Sequence, residues 1–554
     1  MRFPGFIGPS YTLSSVNYEC QRSINLYPEM NELGQTGKEH EVATLIGTPG
    51  LSLLCTLSTG PVRALWYTST GLLYAVAGNQ LFSISSSYVA TSVGTLQTVS
   101  GPVSIADNGI QLVVVDGANG YYITIPTTTV PVGAYVFTIT SGNTASVGTT
   151  FTNNGQTFTV VNQLTSSATS LVASGTGAPQ TSGSLALGAG PGTGPIFYSS
   201  FSSPPNTISL ITDANWLGSN QVSFQDGYFI FAKPNSTAFY LSDLNAVTFG
   251  APALTQKNGF TDNIVSQLCS NRNLWLLGDQ TSEVWFDSGN NLNPFQYVQG
   301  SLSHIGCAAS LSSVKMANTI FWLGKDQTGS GVVYMANGYT PQRISTQAVE
   351  LAIQSYSTMS DAIAYAYQEN GHQFYVLTFP TGNATWVYDL ASSLWHERAY
   401  SNQGIFGRHL SNCYAFAFNT HVVGDYSNGN IYNMSSSFYS DNGNPLIRQR
   451  ITPHLSKDMN RVFVSSIQLD FETNIGLSSG QGSQPLAMLS WSNDGGHSWS
   501  NEHTAHLCAI GNNSDRAIWR RLGQSRNRVF KFSISDPVKV VLIGAEIDLM
   551  AGAS

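Results

Sequence analysis

Charge is scarce in this chain. Only 10% of its 554 residues are Asp, Glu, Lys or Arg, where about 25% is usual in soluble domains. A surface so poor in charge is expected to be partly covered by partners. The formal net charge of -8 argues against a dedicated nucleic-acid-binding protein of the basic-patch kind. Cysteine is thin and scattered, at Cys20, Cys55, Cys269, Cys307, Cys413 and Cys508. No pair makes Cys-x-x-Cys and no histidine cluster stands at zinc spacing. The thiols therefore read as small apolar core residues, with no metal or other cofactor expected. Their dispersion argues against a disulfide framework and fits folding in a reducing compartment. No apolar run reaches the ~20 residues of a membrane span. Met1-Arg2-Phe3-Pro4-Gly5 lacks the apolar stretch of a signal peptide. There is no Gly-x-Ser-x-Gly elbow and no Walker loop for phosphate. Helical pattern is almost missing too, with Thr346–Ser355 the one plausible helix.

Glycine, hydroxyl side chains and aromatics fill the gap: Gly 53, Tyr 25 and Phe 27. This is the composition of an all-β protein with many turns. One stretch sets the grammar. Leu274–Leu277 reads as a buried strand and Glu283–Phe286 as its return. Between them Gly278-Asp279 opens a turn, where glycine takes a positive φ without steric cost. The pattern recurs at Leu72–Ala77, Gly78-Asn79 and Leu81–Ile84, and at Tyr228–Ala232 and Ala238–Leu241. It recurs again at Ile320–Leu323, Gly324-Lys325 and Val332–Met335. Hairpins repeated at roughly 35 to 50 residues mark a blade array. A meander of three or four strands cannot bury both faces alone, but packed radially it can, with only short edges left open. The expected fold is a β-propeller of six or seven blades with two additions.

Residues 1–50 read as an N-terminal arm lying over other elements, because Pro4, Gly5, Gly8 and Pro9 break regular structure. The propeller is expected over 51–125 and 196–443. Residues 126–195 are rich in Thr, Ser and Gly, yet Tyr135–Ile139 and Thr157–Val161 alternate as strands and Asn153-Asn154-Gly155 is a hairpin turn. This predicts a small β domain inserted in a blade loop, its two ends close together. The array resumes near Ile196 and its last blade spans roughly 401–440. Residues 444–554 change character and hold eleven of the chain's 23 Lys+Arg. Strands are predicted at Arg461–Phe471, Leu486–Trp491, Val529–Ile534, Val538–Leu542 and Ala545–Leu549, which fits a β-sandwich serving as an oligomerisation platform.

Three constellations could carry chemistry. Ser492-Asn-Asp494-Gly-Gly496-His-Ser-Trp499 matches the Asp-box of sialidase-like propellers. Physically it is a hairpin turn: Asp494 accepts from turn amides, the glycines permit positive φ, and Trp499 packs beneath. A sialidase also needs an arginine triad, a Tyr nucleophile and an acid, and repeats the box blade by blade, whereas this box stands alone. The motif is read as structural. His372, His396, His409 and His421, with Asp389 and Glu397, could suggest acid–base work. They fall in separate strands and turns without recognised spacing, so no catalytic residue is assigned. Arg516, Arg520, Arg521, Arg526 and Arg528 flank Ile518-Trp519 and Val529-Phe530. They suit either a nucleic-acid groove with interleaved aromatics or an interface meeting carboxylates of another subunit, and the interface is favoured.

Two ends of the chain resemble a known family. Ile24-Asn-Leu-Tyr-Pro-Glu29 followed by Thr48-Pro-Gly-Leu51 is similar to the N-terminal signature of many short-tailed phage virion proteins. Ala517-Ile-Trp-Arg-Arg-Leu-Gly-Gln524, Arg526-Asn-Arg-Val-Phe-Lys-Phe532 and Asp536-Pro-Val-Lys-Val540 resemble the C-terminal end of the packaged-DNA stabilisation, or tail hub and nozzle, proteins. The insertion, with Phe151–Val160 and Ala173–Pro179, looks like a small β module scattered through phage structural proteins. The resemblance implies a structural virion protein, not an enzyme, made in the host cytoplasm and placed in the viral tail. It implies a homo-hexameric ring below the portal and adaptor rings, which retains packaged double-stranded DNA and conducts it without reading its sequence. It also implies docking of tail fibres, spikes or a needle. The insertion departs from that pattern and bears on the fibre-docking surface. The alternative is a sialidase-like or glycan-binding propeller.

Overall fold

The computed structural model describes residues 1–31, 43–125, 134–142, 144–153, 156–160, 170–175, 183–187, 195–202, 208–250, 254–290, 293–456 and 460–552. They form two compact units. One comprises Met1–Leu65, Ala232–Tyr240 and Ala253–Ser554; the other comprises Trp66–Phe231 and Leu241–Pro252.

In the smaller unit, Leu73–Ala77, Gln80–Ile84 and Ala90–Thr95 form an antiparallel meander. Leu73 to Ala77 are all buried, as their continuous apolar run requires. A second meander runs through Ser104–Asp107, Gln111–Val115 and Gly120–Thr124. Its fourth strand, Ser209–Leu210, pairs with Tyr121 and Tyr122 only after a long excursion. That excursion is a closed six-stranded barrel built from Ala134–Gly142, Ser170–Gly175, Gln156–Val160, Thr150–Asn153, Gly183–Leu187 and Pro195–Ser202. Phe137, Phe151, Phe158 and Tyr198 fill it with edge-on and stacked ring contacts. The sequence places the return to the propeller at Ile196, but the last barrel strand runs to Ser202. Tyr198 points into the barrel and Phe197 out, so the alternation continues past the expected boundary.

In the larger unit the meanders repeat. They begin with Ile264–Ser270, Asn273–Gly278 and Ser282–Asp287, then Thr319–Lys325, Ser330–Asn337 and Thr340–Arg343. Next come Ile363–Glu369, His372–Phe379, Ala384–Asp389 and Leu394–Glu397. The last blade, Ser411–Ala417, Thr420–Asp425 and Asn430–Ser435, takes its outer strand from the start of the chain, Gly50–Thr56. The sheet of Val222–Gln225, Tyr228–Ala232, Ala238–Leu241 and Thr255–Gln256, whose residues fall in the ranges of both units, brings the described blades to seven. Five first hairpins close on two residues of positive φ: Asp226-Gly227, Asn271-Arg272, Ala317-Asn318, Asn370-Gly371 and Phe418-Asn419. Such turns twist with the strands they join. The helix spans Gln347–Ser355, with the Thr346 side chain capping Val349.

The C-terminal sandwich has two sheets. One orders Leu26–Met30, Ala43–Gly47, Val541–Ala551, Val462–Phe471 and Ala517–Arg520. The other orders Arg448–Ile451, Asn527–Ile534, Leu486–Ser492 and His503–His506. Phe530, Phe532, Trp519, Leu469 and Ile547 lie in the core between them.

Four expectations need correction. Gly278 ends its strand without the positive φ expected there; what restricts it is close packing, since a Cβ would collide with Asp262 Oδ2 and Lys257 Nζ. Gly324-Lys325 is not a turn but lies inside a strand, where the Tyr334 ring sits so close that a Cβ on Gly324 would come within 2.5 Å of it. The strands predicted at Val538–Leu542 and Ala545–Leu549 are one, Val541–Ala551, because Gly544 is carried within it beside a register shift. The N-terminal arm does not merely lie over other elements. Cys20–Ile24 is inserted as a strand between Leu394–Glu397 of a blade and Arg448–Ile451 of the sandwich, making one continuous sheet. Leu26–Met30 then joins the other sandwich sheet.

Candidate assembly interface

The arm changes sheets at Asn25, which takes the left-handed backbone at φ 55. Its buried side chain donates to Ala399 O and Ile447 O, both at 2.8 Å, and accepts from Ala399 N at 2.9 Å. Asparagine is the residue that tolerates this φ and still carries both donors and an acceptor. The neighbouring signature closes the same corner. Thr48 N donates to Asn25 O at 3.0 Å, and Gly50 N to Phe438 O at 3.0 Å. A Cβ on Gly50 would meet Phe438 O at 2.5 Å, so only glycine fits.

Arg450 holds the preceding segment. It is fully buried and donates to Phe6 O at 2.7 Å, Pro9 O at 3.1 Å, Gly5 O at 2.9 Å, Ser23 Oγ at 3.0 Å and Gln21 Oε1 at 2.7 Å. Burial lowers its pKa to about 9, against a smaller opposing pull from Glu19. Arg22 pairs with Glu397, and Tyr27 stands edge-on to His372 and Phe374 at 5.1 Å and 5.2 Å. The sequence reading missed Asn25 and Arg450 as anchors. Asn25 shows only as a polar residue between Ile24 and Leu26, and Arg450, within the polar run Arg448-Gln449-Arg450, gives no signal of its own.

The predicted arginines divide. Arg516, Arg520, Arg521 and Arg526 are exposed and make no ion pair among the described residues. Trp519 and Arg528 point inward. Trp519 Nε1 donates to His503 O at 2.7 Å, and Arg528 donates to Asn493 Oδ1, Leu522 O and Gln524 O. Burial lowers the Arg528 pKa to about 10. Arg528 therefore supports its own sandwich and contributes no free charge to a surface. Pairing Ser466 with both Arg520 and Asp548 puts these charges in one row across three strands. The next row holds Ile518, Gln468 and Glu546. The outward face of this sheet thus runs from a basic edge to an acidic centre, and the exposed pair Phe463 and Met550 lies opposite each other at one end.

The Asp-box is a turn with an occupied carboxylate. Asp494 accepts from Ser492 Oγ at 2.6 Å, Ser498 Oγ at 2.5 Å, His497 N at 3.1 Å and Ser498 N at 2.9 Å. These donors, the hydroxyl of Ser492 first, hold its pKa well below the usual carboxylate range. Gly496 has φ 101, and Trp499 packs on Cys20, Ile451 and Val529.

The four histidines do not converge on one open site. His372 Nδ1 lies 2.9 Å from Asp389 Oδ2, and this hydrogen bond raises the His372 pKa. Burial lowers His396 to about 3 and His409 well below the ordinary range. His421 faces Tyr414 OH at 2.9 Å and is lowered by burial. No group of His, Cys, Asp and Glu among the described residues is placed to share a metal ion. Nor is any helix among them long and apolar enough to cross a membrane.

Comparison with known families gives two matches. The model described as bacteriophage P22 Gp10, beta-propeller, matches residues 147–439. The one described as bacteriophage P22 Gp10, beta-sandwich, matches residues 447–550. Among solved structures, the WD40 propeller domain of Doa1 is 10% identical, with a TM-score of 0.34, covering 70% of this chain and 97% of that one. The Neurospora crassa Pan2 WD40 domain is 9% identical, with a TM-score of 0.36, covering 68% and 89%. The N-terminal domain of Nup159 is 9% identical, with a TM-score of 0.34, covering 70% and 95%. No curated protein matches.

Proposed function

The chain belongs to the bacteriophage P22 Gp10 family, a phage structural protein family whose propeller model alone matches more than half of it, and on that premise we propose that it is the tail nozzle of a short-tailed phage. In this reading six copies form a ring below the portal and adaptor. The ring extends their channel, retains packaged double-stranded DNA, conducts it at ejection and docks fibres, spikes or a needle. The chain acts in the virion tail, binds no cofactor and turns over no substrate.

The observation that carries the ring is the unpaired charge on the sandwich. Arg516, Arg520, Arg521 and Arg526 crowd one sheet edge, while Glu546 and Asp548 stand further across the same outward face. A head-to-tail contact needs such a directional patch, with the edge of one copy meeting the centre of the next. Unlike charges also fix its register. Mass photometry of the assembled tail tests this. Arg520→Glu with Arg521→Glu is expected to abolish the ring and leave a folded 59.4 kDa monomer. A normal ring from the double variant would refute the interface and favour arginines that face the DNA.

A further inference from the structure

Five buried polar atoms without a protein partner meet where the last blade gives way to the sandwich. They are Thr48 Oγ1, Arg398 Nε, Arg448 Nε and both carboxyl oxygens of Asp441. Asp441 is 0% exposed, Arg398 1% and Arg448 2%. All three surround the segment Gly47–Leu51. Arg398 Nη2 donates to Pro49 O at 2.6 Å. Asp441 lies parallel to Leu51, and Asn442 N donates to Leu51 O at 2.8 Å. A Cβ on Gly47 would come within 2.7 Å of Arg448 Nε. One cation thus comes from the end of a blade, one from the first sandwich strand, and the carboxyl from the chain that joins them.

Buried polar groups are nearly always paired, and a cluster left unpaired is costly and calls for an explanation. Here donors and acceptors are matched in kind but not joined. We propose that Asp441 is a proton-operated latch at this joint: neutral, it leaves the two guanidinium groups apart; ionised, it draws Arg398 and Arg448 onto its oxygens and ties blade to sandwich. Burial supports a transition near neutrality, since it raises Asp441 to about 7 against the lowering pull of both arginines. The same burial lowers Arg448 to about 10. The other titratable groups that sense the cluster are Tyr400, which feels Asp441; Tyr439, whose ring lies 5.9 Å from Arg448; and His396, His409, Tyr365 and Tyr367, which feel Arg398. Burial keeps both histidines neutral across the range concerned.

The sign follows from linkage. A carboxyl raised in the folded state contributes stability that is complete below its unfolded value of 3.8 and is lost as pH rises through about 7. Asp441→Asn cannot ionise. Its thermal midpoint, taken relative to that of the wild type, is expected to rise by a few degrees between pH 5.5 and pH 8.5. A difference that stays flat between those values would overturn the latch. Wild-type cryo-EM maps at both pH values give an independent reading that needs no variant. Asp441 is expected in direct contact with a guanidinium at pH 8.5 and apart from both at pH 5.5. The same arrangement in both maps would equally reject the proposal.

Discussion

Replacing Asn25 separates two contributions that one residue makes. Gly keeps the left-handed φ and loses the three side-chain hydrogen bonds, while Ala loses both. Stability in denaturant is expected to fall in the order Asn, Gly, Ala. Ala should cost about 3 kcal/mol or more, from backbone strain and from carbonyls left without donors. Equal values for Gly and Ala would show that the conformation carries no cost. Arg450 is the companion case: its guanidinium is shared among acceptors on six residues of the arm, with no acid among them. Neither role was legible in the sequence. Ile24-Asn25-Leu26 and Arg448-Gln449-Arg450 look like ordinary strand interruptions until distant segments supply their partners. The Asp-box was legible, because every donor to Asp494 lies within four residues of it. Local hydrogen bonding leaves a local trace.

At the scale of elements the same rule separates what could be read from what could not. The helix after Thr346 and the strands around Gly278 follow from short-range patterns and stand within a residue or two of expectation. The long C-terminal strand and the pairing of Gly50–Thr56 with Asn430–Ser435 depend on a register set elsewhere. The barrel tests how separable elements are. Among the described residues its strands pair only with one another, and the blade resumes at Ser209–Leu210. Replacing 127–207 by a short Gly-Ser linker is therefore expected to leave Tyr121 and Tyr122 paired and the rest folded. The thermal midpoint should move little, because closure entropy changes slowly with loop length. Aggregated protein from an otherwise intact preparation would show that the barrel supports its blade.

For the whole molecule, family and site chemistry point the same way. Asp494 has its oxygens committed to the turn, and the box occurs once, in the sandwich. No sialoside hydrolysis is expected from the purified protein, and turnover abolished by Asp494→Asn would reject the structural reading. The arm carries a consequence for how the protein is made. Met1 bonds to Ile547, Cys20–Ile24 to Arg448–Ile451, and Gly50–Thr56 to Asn430–Ser435. Residues 1–56 thus wait for partners that are synthesised some 380 to 550 positions later. At about 5–20 residues per second that wait lasts on the order of a minute. Throughout it Phe3 and Phe6 lack the rings of Phe530 and Phe532, and Cys20–Ile24 lacks its pairing with Arg448–Ile451, so the growing chain is most open to aggregation or chaperone capture before residues 448–551 emerge.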